Sequence, residues 1–130
     1  MAVRGVRGAI TVPHNTAEDI LEGTTELLSQ MVCANDIDPD DIAAAYFTTT
    51  DDLDAAFPAA AARRLGWRYV PLMDAREMSV PGSLAQCIRV MLLWNTEKKS
   101  QQVTHIYLRN AQSLRPDLAN NSMHEEQEEK

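Results

Sequence analysis

Apolar positions change their period along the chain, and each change marks an element. Residues 2–13 form a β-prone run containing two Arg-Gly pairs, Arg4-Gly5 and Arg7-Gly8, where glycine permits a close backbone approach or a bulge. Beyond Asn15-Thr16, which offers an N-cap, Ile20, Thr24, Leu27, Leu28, Met31 and Val32 recur at helical spacing, with Glu18 and Asp19 in the first turn. That pattern predicts one amphipathic helix over 16–34. Asp38-Pro39-Asp40-Asp41 is a cap followed by proline at the first helical position and predicts a short helical turn. Ile42 to Thr50 then predicts a buried strand. Pro58 opens a second helix that Gly66 stops. Trp67 to Met73 is β-rich, with Pro71 marking an edge or a bend, and 74–85 is predicted as loop and turn around Pro81-Gly82. From Cys87, alternation puts Cys87, Arg89, Met91 and Leu93 on one face and Ile88, Val90, Leu92 and Trp94 on the other. A last strand over 103–111 places His105, Tyr107 and Arg109 on a common face. The order β, α, β, α, β, β, β predicts an α+β fold, a mixed β-sheet flanked by helices on one side.

At 130 residues the chain is one domain's length, and a domain this small often builds its cleft between copies of itself. Residues 1–118 are expected to be that domain and 119–130 an acidic, disordered tail. A net charge of −7 argues against nucleic acid and against an anionic membrane surface. No stretch is apolar for long enough to span a membrane, and the first residues lack a signal peptide's apolar core, so a cytoplasmic setting is expected. Cys33 and Cys87 show no metal-ligand or disulfide spacing.

Placing the charges changes the picture. Residues 8–62 hold 11 acids and no Lys or Arg, whereas 1–7 and 63–115 together hold 11 bases against Asp74, Glu77 and Glu97. Nine of the 12 bases are Arg, whose planar fork matches a carboxylate. Acidic helices pairing with basic strands would produce the same segregation, yet the pattern also says where an anion could sit. Arg89 is the sharpest signal: alternation puts a guanidinium in mid-strand among apolar residues, where an unpaired charge is costly. Its counter-charge is Glu77 or Asp74 in an internal ion pair, or else a substrate anion. Tyr107 and Arg7 carry the same two readings, one structural and one ligand-binding. No nucleophile elbow, phosphate-binding glycine loop or HExxH occurs, and His14, His105 and His124 are scattered.

The segments RGVRGAITV, AFPAAAARRLGW, REMSVPGSL, CIRVM, VTHIYL and LRPDL, in this order from residue 3 to about 118, resemble the small monofunctional chorismate mutases of the AroH class. The resemblance implies a chorismate-mutase-like pseudo-α/β-barrel homotrimer with active sites between subunits. It implies the intramolecular Claisen rearrangement of chorismate to prephenate in phenylalanine and tyrosine biosynthesis, without metal or cofactor. Arg89, in CIRVM, would be the cation beside the breaking ether bond. Arg7 and Tyr107 would hold a carboxylate, and Glu77 would accept a hydrogen bond from the ring hydroxyl. The backbone of Met73, Asp74, Ala75 and Arg76 would line the pocket, Phe57 and Arg63 would close it from the neighbouring chain, and Arg115 would lie near the entrance. Ala60 stands where the family often has lysine, and Asp74 where it often has cysteine. Two alternatives share an anion pocket: a trimeric imine or enamine deaminase, and a non-catalytic carboxylate-binding protein.

Overall fold

The computed structural model describes residues 1–115. The expected tail at 119–130 lies outside the described residues. Strand β1 (Ala2–Thr11) leads to helix α1 (Ala17–Asn35), strand β2 (Ile42–Thr49), helix α2 (Ala59–Arg64), strand β3 (Leu72–Arg76), strand β4 (Cys87–Thr96) and strand β5 (Ile106–Leu108). This is the element order the periodicity predicts. One five-stranded sheet runs β3-β2-β4-β1-β5, with β4 antiparallel to β1 and β2, and with the edge strands β3 and β5 parallel to β2 and β1.

Local chemistry sets the boundaries. Thr16 caps α1 by accepting the Asp19 N–H at 3.1 Å, while Asn15 turns outward to tie down the amides of Asp54 and Ala55, just before Phe57. Helix α1 ends on Asp36 in the left-handed region, and α2 ends before Gly66 at φ 87°. The chain from Asp38 to Asp41 makes the expected short turn, with the Asp38 side chain accepting the Asp40 N–H.

Two predicted strands are displaced. The third pairs from Leu72 to Arg76, so 67–70 is loop and 74–76, predicted as loop, is strand. Trp67 and Val70 are buried as anchors of a non-strand segment, and pairing starts only after Pro71, which has no N–H and offers its carbonyl to Ala45. Pro71 does mark an edge, since β3 is the outermost strand. The last strand spans three residues rather than 103–111, because Arg109 adopts φ 56° and turns the chain into a 3₁₀ segment over Arg109–Leu114. Arg109 therefore leaves the face of Tyr107 and reaches back to Glu26 of α1 at 3.6 Å.

Both helices pack on one face of the sheet. Val6, Ile10, Phe47, Ile88 and Leu92 meet Ile20, Leu27, Leu28 and Met31 there, all fully buried. Gly8 permits that closeness: a Cβ at this position would lie 2.4 Å from the Met31 sulfur. Buried Asn35 bonds the Met31 carbonyl and both backbone groups of Thr104, joining the end of α1 to the approach to β5. Among the described residues no helix is long and apolar enough to cross a membrane.

Candidate active site

On the face opposite α1 and α2, the 3₁₀ segment Arg109–Leu114 covers one end, with Ala111 buried against Ala9, Cys87 and Tyr107, and the strand register brings the candidate residues together. Tyr107 pairs with Ala9, Ala9 with Arg89, Arg89 with Thr48, and Thr48 with Ala75, one row crossing all five strands. The next row holds Arg7, Met91, Tyr46 and Met73. Paired residues share a face, so Arg7 lies diagonal to both Tyr107 and Arg89. A cavity of about 410 Å³ is lined by Arg7, Glu77, Arg89, Tyr107, Leu114 and Arg115, together with Thr48.

Arg89 differs from its sequence expectation. Its side chain is 45% exposed, because the alternation places it on the face opposite α1 and α2. Of the two internal partners, Glu77 rather than Asp74 is in reach: its Oε2 lies 3.5 Å from Arg89 Nε. Glu77 follows β3 directly and donates its N–H to the Thr49 carbonyl at 2.9 Å, extending the ladder by one bond. The same Oε2 accepts the Thr48 hydroxyl at 2.5 Å. Cys87 sits behind Arg89; burial pushes its thiol up to about 11, against the pull of the Arg89 charge, so it remains protonated at neutral pH.

Asp74 belongs elsewhere. Its carboxylate accepts the Ala59 N–H at 3.0 Å, tying β3 to the start of α2. Desolvation raises its pKa, opposed by the Ala59 N–H and the Arg63 charge. With Phe57, Ala75 and Arg76 it lines a second cavity of about 480 Å³. One nitrogen of the Arg76 guanidinium bonds the Thr49 hydroxyl and the carbonyls of Thr50 and Leu53. Met73 and Phe57 are strongly exposed, Arg63 is exposed on α2, and none of them lines the Arg89 cavity. One chain thus presents two separate cavities, one around Arg89 and one around Phe57.

Two lining residues, Thr48 and Leu114, escape sequence inspection, and the contact that His105 makes behind Arg7 escapes it too. Thr48 is one of three consecutive threonines, and only strand register shows which of them faces Arg89. Leu114 comes to the cavity through the unforeseen turn at Arg109. His105 accepts the Arg7 N–H on Nδ1 at 2.9 Å, and burial first, then the charges of Arg7 and Arg115, lower its pKa.

Fold and site define an α+β protein that holds a guanidinium, paired with one carboxylate, in an open cavity. The profile of the family described as chorismate mutase type I matches residues 3–118. Chorismate mutase AroH of Thermus thermophilus is 55% identical over 117 residues, covering 89% of this chain and 96% of that protein. Chorismate mutase AroH of Bacillus subtilis is 44% identical over 120 residues, covering 92% and 94%. A solved chorismate mutase from Clostridium thermocellum superposes with a TM-score of 0.83 at 49% identity, covering 84% of this chain and 97% of that one. The chain belongs to the type I chorismate mutase family. It is an isomerase, and neither alternative reading is favoured.

Proposed function

We propose that the rearrangement of chorismate to prephenate takes place in the Arg89 cavity and is driven by restraint and fixed charge. The observation that carries this assignment is the cross-strand placement of Arg89 with Glu77, Arg7 and Tyr107 around one cavity. Chorismate is a dianion that breaks a C–O bond and forms a C–C bond within itself, so the step calls for no nucleophile and no proton transfer. Holding the enolpyruvyl side chain over the ring lowers the entropic part of the barrier. A cation already fixed beside the ether oxygen stabilises the negative charge that grows there in the transition state. Arg89 is that cation, Arg7 and Tyr107 bind a carboxylate, and Glu77 accepts the ring hydroxyl. Arg115 guards the entrance.

The site is completed between chains of a homotrimer. Support comes from the part of the sheet face where Tyr46 and Met73 are exposed, and from the separation of the two cavities. Phe57 and Arg63, with the backbone from Met73 to Arg76, close the Arg89 cavity of a neighbour. The enzyme works in the cytoplasm, where the unpaired thiols of Cys33 and Cys87 are stable. Mixing the protein with chorismate and following the diene absorbance tests this reading. The absorbance should vanish many times faster than in buffer, and decay at the spontaneous rate would contradict it.

A further inference from the structure

We infer that Thr48 is a positioning residue for catalysis, acting through Glu77. The inference rests on the role given to Glu77 above. Glu77 stands just past the end of an edge strand, where backbone pairing fixes its amide but leaves its side-chain torsions free. Thr48 removes that freedom from the adjacent strand. It is the cross-strand partner of both Arg89 and Ala75, so its hydroxyl rises between the strand that carries the cation and the strand that delivers the carboxylate. The donated bond is short, at 2.5 Å, as expected for a hydroxyl on an ionised oxygen.

The choice of oxygen matters. Oε2 of Glu77 takes both the Thr48 hydroxyl and the approach of Arg89 Nε, whereas among the described residues no donor reaches Oε1. Thr48 therefore orients the carboxylate so that one oxygen is spent on the protein and the other is presented to the ligand hydroxyl. It also tethers the acid beside Arg89, keeping Glu77 from swinging across the cavity toward the substrate's own carboxylates. Threonine suits this task, because its branched Cβ restricts χ1 on a strand and thereby aims the O–H.

Thr48→Val keeps the shape and removes only the donor, whereas Thr48→Ser keeps the donor. Thr48→Val should lower kcat/KM by roughly ten- to a hundredfold, the range for losing a hydrogen bond to a charged group, with the melting temperature little changed. Thr48→Ser should recover most of that loss. In a Glu77→Ala background, the further change Thr48→Val should cost almost nothing, because the residue through which it acts has gone. Normal turnover by Thr48→Val alongside an impaired Glu77→Ala would overturn the inference and leave the role of Glu77 standing. An equal loss from Thr48→Val in both backgrounds, or a Thr48→Ser as poor as Thr48→Val, would also overturn it by showing a packing role. An unimpaired Glu77→Ala would remove the role of Glu77 itself, and this inference with it.

Discussion

The two faces of the one sheet have opposite designs. The face under α1 and α2 is closed by Ile20, Leu27, Leu28 and Met31 against Val6, Ile10, Phe47 and Leu92, and its few buried polar groups are satisfied within the chain, as by Thr24 on the Ile20 carbonyl. The other face holds Arg7, Arg89 and Glu77 with the buried Tyr107, and also carries exposed apolar side chains such as Tyr46 and Met73. Strand alternation makes the division possible, since neighbours in β4 such as Arg89 and Val90 serve different faces. Burial on one side stabilises the sheet enough for charge to be held on the other, where it costs stability.

If that division is real, substitutions on the closed face should act on stability and leave the chemistry of the folded fraction alone. Phe47→Ala carries the largest expected effect, a loss of about 3–5 kcal/mol of folding stability read from chemical denaturation. Specific activity per folded molecule should stay near normal; a selective loss of turnover in folded protein would break the comparison. Gly23→Ala probes the fit of helix on sheet. Its Cβ would lie 2.7 Å from Val12, a buried β-branched neighbour with little room to yield. Overpacking of about 1–3 kcal/mol should exceed the helix-propensity gain of about 1 kcal/mol, so the melting temperature should fall slightly. A rise would show that the helix can shift outward.

His105 sharpens the comparison at the boundary between the faces. Its Nδ1 must be unprotonated to accept the Arg7 N–H, and its pKa lies below the ordinary 6.5. The unfolded chain then binds the proton more readily than the folded one. The contribution of His105 to stability is flat above about pH 6.5 and falls as acid is added below it, through the lowered folded value. His105→Asn offers an oxygen to the same N–H and cannot titrate. Melting temperatures from about pH 7.5 to about pH 5 should therefore fall less steeply for His105→Asn than for the unaltered protein. An identical acid slope would show that other groups control it.

How much of this was legible in the sequence follows the range of the interactions. Element order, the capping of α1, the Gly66 stop and the faces of β4 depend on neighbours within a turn or a strand, and all are read directly. The start of β3 depends on where Pro71 meets β2, and the shortness of β5 on a left-handed Arg109; both are decided by distant partners. Alternation alone singles out Arg89 but not its counter-ion. Register chooses Glu77 and sends Asp74 to the start of α2. Family resemblance supplies the proposed residue roles, since motifs carry what periodicity does not encode, but it does not point to Thr48.

The central claim is that a fixed positive charge at Arg89 performs the catalysis without supporting the fold, and Arg89→Ala tests it most directly when turnover and melting are measured on the same sample. Chorismate consumption should fall by at least about 10²–10³-fold, the scale of losing one preorganised donor at a developing oxyanion, with Arg89→Lys also strongly impaired and the melting temperature of both variants nearly unchanged. Near-normal turnover by well-folded Arg89→Ala would contradict the account.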